Sequence, residues 1–313
     1  MATKNFSSSR LALSSFFVLV FTACQHAPTR PQTRIEVNQP SSTETPVPPP
    51  PPPTREEPKK VAVILGPGGA KAMAHVGVLR ALQQQRIPIQ KIVGIEWGAL
   101  VAGLFAAKGQ VHDVEWKLYK MEQKNIPRPR GGFFSKTGYE EPFKIMDDYM
   151  QDVFGGEEIG ADKIPFMCPS RSIWSGVVSW QSRGLARDAM KRCMPFPPIF
   201  KPQGTFIAGA SQALEAVEQL RAEGYNVIIL VNVLGSAMPV AQDSLLENLN
   251  YVILWQEIRR ATLEASHLAG VDVINVDTSN YSVVAFDAKR DLISAGEAAG
   301  ARAAGQLVNK YGF

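Results

Sequence analysis

Two short apolar runs, each followed by a glycine-containing turn and a helical pattern, limit the folds that are open to this chain. The first run is KKVAVILG (59–66) and the second is IQKIVGI (89–95). Continuous runs of this length with β-branched residues are typical of strands buried on both faces of a parallel sheet. Helical periodicity follows in residues 72–86 and 97–109, and Gly109 is a suitable C-cap. The order strand, helix, strand, helix predicts a parallel sheet with helices on both faces.

The C-terminal part of the chain continues this pattern. GYNVIILVNV (224–233) and GVDVINVD (270–277) have the composition of buried strands, and residues 213–224 and 290–312 have helical periodicity. The chain has 313 residues, of which 45% are hydrophobic, so it is long enough to bury one large core. We therefore expect a single α/β domain over residues 60–313.

The middle of the chain, residues 110–203, gives no clear periodicity. Within it, KNIPRPRGGFFSKTG (124–138) is basic and contains glycines and aromatic residues. This composition predicts a loop, either a solvated surface loop or a lid that touches a membrane.

The N-terminus has the features of a secretory signal peptide, which we assign to residues 1–23. Lys4 and Arg10 form a basic region, and LALSSFFVLVF (11–21) is an apolar segment too short to span a bilayer comfortably. The sequence FTAC that follows resembles a bacterial lipobox. The resemblance implies cleavage before Cys24 and lipidation of its thiol. The alternative is an ordinary signal peptide beside an unrelated cysteine.

Residues 24–59 are polar and rich in proline, with an unbroken run from Pro48 to Pro53. Such a segment cannot form a core, and its polyproline II tendency gives a tether with a reach on the order of 100 Å. The residue after Cys24 is Gln25 and not an aspartate, which suggests that the lipoprotein is sorted to the outer membrane. We therefore predict an outer-membrane lipoprotein that faces the periplasm, with the membrane as a partner through Cys24.

The charge, the histidine spacing and the cysteines restrict which other functions the chain could have. The formal net charge is only +4, without a long run of one sign, so nothing indicates nucleic-acid binding. The four histidines are scattered and show no metal-ligand spacing, and no cofactor motif is complete, so we predict neither a metal nor a cofactor. Cys168 and Cys193 form either a disulfide, which the periplasm permits, or two free thiols.

A glycine-rich loop follows the first strand in GPGGAKAMAHVGVL (66–79). Backbone amides of such a loop converge at a helix N-terminus and favour negative charge. The loop lacks the Lys-Ser/Thr pair of a phosphate-binding Walker motif and the last glycine of the dinucleotide motif. Its candidate site residues are Gly66, Pro67, Gly68, Gly69 and Lys71.

The second strand ends in GIEWG (94–98), which has the glycine frame of a nucleophile elbow. In a serine hydrolase this elbow presents the nucleophile on a strained strand-to-helix turn. Here Gly94 and Gly98 keep the frame, but Glu96 stands in the nucleophile position and Trp97 follows it.

The two motifs together resemble those of the patatin-like phospholipases, including their short bacterial members. The resemblance covers roughly residues 60–310 and implies a three-layer α/β/α fold with a mainly parallel central sheet. It also implies a Ser–Asp dyad behind an oxyanion loop. By this alignment Glu96 replaces the serine and Ala208, in FIAGA, replaces the aspartate. Pro67 stands at a usual glycine and has no N–H to donate to an oxyanion.

These departures predict a catalytically degenerate site. A carboxylate at the start of a helix is favoured by the helix dipole, and amides of the 66–72 loop are suitable partners for it. Glu96 would then occupy the anion site itself, with Trp97 filling space meant for a substrate. Lys71 either lines the pocket or lies on the surface. Glu96 as a nucleophile would lack a base, and none of the serines near the expected pocket has the elbow frame: Ser170, Ser172, Ser175, Ser179 and Ser211.

We therefore predict a pseudoenzyme that binds a protein partner, or a lipid or acyl ligand held without turnover. Two alternatives remain open at this point. One is an active acyl hydrolase for phospholipid or lysophospholipid, and the other is a purely structural lipoprotein of the cell envelope.

Overall fold

A mainly parallel sheet forms the centre of the fold. The structure is a computed structural model that describes residues 58–121, 126, 142–161, 163–197, 204–236 and 249–313. The strands in these ranges are β1 (Val61–Leu65), β2 (Ile89–Gly94), β3 (Glu158–Ile159), β4 (Phe166–Ser172), β5 (Val178–Gln181), β6 (Gly184–Leu185), β7 (Phe206–Ala208), β8 (Val227–Asn232) and β9 (Val271–Asn275). The α-helices there are α1 (Ala74–Gln84), α2 (Gly98–Lys108), α3 (Val111–Tyr119), α4 (Pro142–Phe154), α5 (Ala186–Cys193), α6 (Ala213–Ala222), α7 (Leu249–Ser266) and α8 (Lys289–Tyr311).

The strand order of the sheet is β5-β4-β2-β1-β8-β9, and β7 also pairs with β4. The pairs along β4, β2, β1, β8 and β9 are parallel, whereas β5 and β7 run antiparallel to β4. β3 and β6 form a separate antiparallel pair. The predicted α/β class with a mainly parallel central sheet is confirmed.

Both faces of the central strand β1 are buried. Val61, Val63 and Leu65 belong to one core, which contains apolar side chains of α1, α2 and α8. Ala62 and Ile64 belong to a second core with α6. Because successive strand residues point to opposite faces, an uninterrupted apolar run is what a sheet between two helical layers requires.

Helices α1 and α8 pack with their backbones in close contact, and glycines permit the approach. A Cβ atom on Gly77 would lie 2.0 Å from the carbonyl oxygen of Ile293, and one on Gly296 would lie 1.9 Å from that of Ala74. Neither distance is compatible with a side chain. This contact holds the start of α1, and with it the glycine-rich loop, against α8.

The elements predicted from the apolar patterns agree with the structure to within a few residues, and Gly109 caps α2 in the left-handed conformation with φ 71°. The sequence did not predict the elements of the middle region or α7. Of the basic loop 124–138, only Ile126 lies within the described residues, and it is buried. None of the helices in the described ranges is long and apolar enough to span a bilayer.

Cys168 of β4 and Cys193 of α5 form a disulfide, with their Cα atoms 6.1 Å apart. Both residues are buried. Of the two states that the sequence left open, the structure has the bonded one, and the bond ties α5 to the sheet.

The close contact of α1 and α8 predicts opposite effects for two glycines of α8. Gly296→Ala should lower the free energy of unfolding by about 2 kcal/mol or more, because the new methyl group overlaps the backbone of α1. Gly305→Ala is the matched control, since nothing lies within 4 Å of its added Cβ. It should raise stability by up to about 1 kcal/mol through helix propensity. Urea unfolding measures both changes, and equal effects would contradict the packing.

The disulfide closes a loop over a sequence separation of 25 residues. Replacing both cysteines, as Cys168→Ala with Cys193→Ala, should lower the free energy of unfolding by about 3 kcal/mol. Dithiothreitol should lower the stability of the wild type and leave the double variant unchanged. If the reductant has the same effect on both proteins, the bond does not stabilise the fold.

Candidate functional site

The turn between β2 and α2 has the backbone of a nucleophile elbow. Glu96 adopts φ 55°, a left-handed conformation that is uncommon for residues other than glycine. The amide of Ile95 donates to the carbonyl of Leu65 over 2.9 Å. A Cβ on Gly98 would lie 2.5 Å from the same carbonyl oxygen, so this position requires glycine. The strained residue is therefore held by β1 on one side and by α2 on the other.

The Glu96 side chain points into the glycine-rich loop. Its Oε2 atom accepts hydrogen bonds from the amides of Gly68, at 2.9 Å, and Gly69, at 2.8 Å. The residue is only 5% exposed. The contact between this carboxyl group and the loop amides, which the sequence predicts, is present. Pro67 has no N–H, but the two donors are the residues that follow it.

Burial changes the charge of this carboxyl group. It raises the pKa of Glu96 from 4.5 to about 7, although hydrogen bonds from the loop amides and from Trp97 act in the opposite direction. The sequence predicts a carboxylate here, but burial makes its charged form less favourable. Near neutral pH the neutral and the charged form of Glu96 are both populated, because desolvation outweighs the stabilising amides.

His75 fixes the other end of the loop. Its ring is fully buried, and burial lowers its pKa to about 4, so the imidazole is neutral. Nε2 lies 2.8 Å from the carbonyl oxygen of Gly66. Since a carbonyl only accepts, Nε2 carries the proton and donates it. Sequence reasoning missed this role, and the signal for it was a histidine in the first turn of an apolar helix.

Two further predicted site residues, Lys71 and Trp97, are buried. Lys71 is 1% exposed, so it is not a surface residue, and its Nζ donates to the carbonyl of Leu234 at 2.8 Å. Burial lowers its pKa to about 8, and the positive charge of Arg259 acts in the same direction. Trp97 is fully buried and packs against Phe286 with ring centroids 4.5 Å apart.

The space in front of Glu96 is nearly closed. The cavity measures about 20 Å³, which holds about one water molecule. Apolar side chains from three other parts of the chain close it: Phe196, Trp255, Ile258 and Val283. Its other lining residues in the described structure are Pro67, Gly68, Gly69 and Glu96. The loop amides thus bind the Glu96 carboxyl group, and the remaining cavity is too small for an acyl substrate.

Ala208 lies at the same edge of the sheet as Glu96. β4 pairs with β2 at Phe166 and Met167, and then with β7 from Ser170 onward, where Ser170 faces Ala208. β7 thus takes the place beside β4 where β2 has ended. Ala208 is 2% exposed, and its methyl group supplies no proton acceptor.

The alternative serines do not replace the nucleophile in this arrangement. None of the five belongs to the lining of the cavity in the described structure. Ser170 is buried inside the sheet, where it accepts a hydrogen bond from Gln181 at 3.0 Å. In the part of the chain that the structure describes, no three His, Cys, Asp or Glu side chains are grouped to hold a metal ion.

Comparisons with known proteins agree with this geometry. The family model described as patatin-like phospholipase matches residues 63–210, which contain the loop, the elbow and Ala208. An uncharacterized NTE family protein of Mycobacterium tuberculosis is 28% identical over 204 residues, covering 64% of this chain and 56% of that protein. The lysophospholipase nte1 of Neurospora crassa is 25% identical over 182 residues, covering 56% of this chain and 12% of that protein.

The chain thus spans about half the length of the mycobacterial relative and a small part of the fungal one. Among solved structures, VipD from Legionella pneumophila aligns with a TM-score of 0.43 and 12% identity, covering 79% of this chain and 67% of that chain. Over residues 63–210 the chain belongs to the patatin-like phospholipase family.

Proposed function

We propose that this protein is a catalytically inactive member of its family that acts as a binding or scaffold protein at the bacterial cell envelope. The observation that carries the proposal is the pair of hydrogen bonds from Gly68 and Gly69 to Glu96. In an acyl hydrolase, amides of this kind stabilise the negative oxygen of the tetrahedral intermediate. Here the elbow residue itself uses them.

The second position of the dyad supports the same conclusion. A hydroxyl nucleophile needs a base to accept its proton, and an acylated enzyme needs a group that activates water for its breakdown. Alanine at position 208 does neither. With a cavity of about 20 Å³, a lipid or acyl ligand would also have to displace Trp255 and Ile258 before it entered. The proposal therefore favours a protein partner, or a ligand bound elsewhere, over a lipid in the closed cleft.

The names of the fungal relatives favour a second candidate, an acyl hydrolase that acts on lysophospholipid. In that function the Glu96 carboxylate would attack the acyl carbonyl, form a mixed anhydride and release the alcohol, which takes a proton from water. Hydrolysis of the anhydride would then free the fatty acid and Glu96. The carboxylate would have to leave the amides of Gly68 and Gly69 to make this attack. The two candidates differ in a measurable way, since only the hydrolase turns over an ester.

We further propose that the protein is an outer-membrane lipoprotein, anchored through Cys24 and facing the periplasm. The lipobox-like sequence supports the anchor. The disulfide between Cys168 and Cys193 supports an oxidising compartment, because such bonds rarely persist in a reducing cytosol.

The raised pKa of Glu96 predicts a specific pH dependence of stability. A carboxyl group with a raised pKa in the folded state stabilises the fold below its unfolded pKa of 4.5, and this contribution is lost as the pH rises through about 7. Between pH 4.5 and about pH 8 the wild type should therefore lose about 3 kcal/mol of unfolding free energy relative to Glu96→Gln. Urea unfolding of both proteins across this range measures the difference. Parallel profiles would mean that Glu96 is solvated.

Restoring the dyad tests the proposed loss of catalysis. The full chain with Glu96→Ser and Ala208→Asp together should hydrolyse p-nitrophenyl butyrate on the order of 10²-fold faster than Glu96→Ser alone, because a general base contributes at least that much. The double variant should also react with a fluorophosphonate probe. The wild type should show neither property.

The matched control for this experiment is Glu96→Ser with Ala210→Asp, which places the acid two residues from the dyad position in another buried site. It should remain inactive. Steady ester turnover by the wild type that disappears in Glu96→Ala would instead establish the hydrolase.

A further inference from the structure

A second and much larger cavity lies between α7 and the carboxyl-terminal parts of β8 and β9. Its volume is about 620 Å³, within the range of small-molecule sites. Arg259 and Leu263 of α7 line it, whereas Trp255 and Ile258 of the same helix close the Glu96 cavity. The two linings share no residue, so this cavity is distinct from the one in front of Glu96.

The walls of this cavity are polar on both sides. On α7 the residues Arg259, Leu263 and Ser266 recur at helical spacing, so that one face of the helix points into the cavity. On the sheet, Asn232 and Asn275 are register partners on neighbouring strands, and Asn232 donates to the side-chain oxygen of Asn275 at 2.9 Å. A space with such walls does not collapse into an apolar core, because its amides and guanidinium groups need polar partners.

The ionisable side chains that line the cavity are all basic. They are Arg259, Arg260 and His267, and no aspartate or glutamate belongs to the lining in the described structure. Arg260 is paired with Glu264 in an exposed contact across one helical turn. The positive charge of the lining therefore rests mainly on Arg259.

Arg259 is the most suitable anion ligand of the three. It is half-buried, and it donates to the carbonyl of Ser236 at 3.1 Å, which fixes its guanidinium group at the cavity wall. It also lies near buried Lys71, whose pKa is lowered mainly by burial and further by the positive charge of Arg259, whereas Asp277 acts in the opposite direction.

We propose that this cavity binds a small phosphate ester, with the phosphate paired to Arg259 and a polar group contacting the Asn232–Asn275 pair. The planar guanidinium fork matches the geometry of phosphate oxygens, and the amides accept from and donate to hydroxyl groups. Leu263 and Val273 provide the apolar part of the wall. The phosphate belongs either to a free metabolite or to a lipid headgroup, which have this chemistry in common.

Calorimetric titration of the full chain with glycerol 3-phosphate tests the proposal. We expect saturable binding of glycerol 3-phosphate and none of glycerol. Arg259→Gln should weaken the binding about tenfold or more, because it removes a charge-assisted contact. Arg302→Gln, an exposed residue of α8, is the matched control and should bind as the wild type does.

A second variant separates loss of the site from loss of the fold. Leu263→Trp leaves the charges unchanged but fills part of the cavity, and it should also weaken binding while keeping the melting temperature of the wild type. Absence of saturable binding to the wild type, or unchanged affinity in both variants, overturns the proposal. Monomeric dihexanoylphosphatidylglycerol distinguishes the sources, since tighter binding than glycerol 3-phosphate indicates a lipid headgroup and equal or weaker binding indicates a free ester.

Discussion

The hydrogen bonds from Gly68 and Gly69 to the Glu96 carboxyl group determine the state of the site. Two constraints bring these groups together. β1 pairs in parallel with β2, so the loop after one strand and the elbow after the other reach the same edge of the sheet. His75 holds Gly66 at the start of the loop, while Gly98 lets the elbow approach β1. The carboxyl group then lies within hydrogen-bonding distance of both loop amides.

The same arrangement explains why burial dominates the chemistry of Glu96. An oxyanion hole is useful because it excludes water and presents fixed amides, and both properties persist here. A permanent carboxyl group in that position loses its solvation at all times, so its pKa rises despite the two amides. Trp255 and Ile258 of α7 complete the exclusion of water. Since Arg259 and Leu263 of the same helix line the larger cavity, α7 contributes to the walls of both cavities.

The sequence predicted the framework well because its signals are local. Buried parallel strands require continuous apolar runs, and the helix limits follow from periodicity and from Gly109. It predicted the middle region poorly. The short strand β7 pairs with β4 across the intervening α5, and α5 is tied to β4 by a disulfide, so contacts between distant segments rather than a local pattern define them. For the same reason the inward position of Lys71 and the packing of Trp97 on Phe286 were not predictable.

The sequence by itself determined the fold class and the identity of the groups at the dyad positions, an acid at 96 and a methyl group at 208. These follow from residue types at fixed spacing along the chain. Only the tertiary structure decided where the Glu96 side chain points, how small its cavity is, and that a second, positively lined cavity exists behind α7. Those properties depend on contacts between separate segments of the chain, which packing sets and no local pattern records.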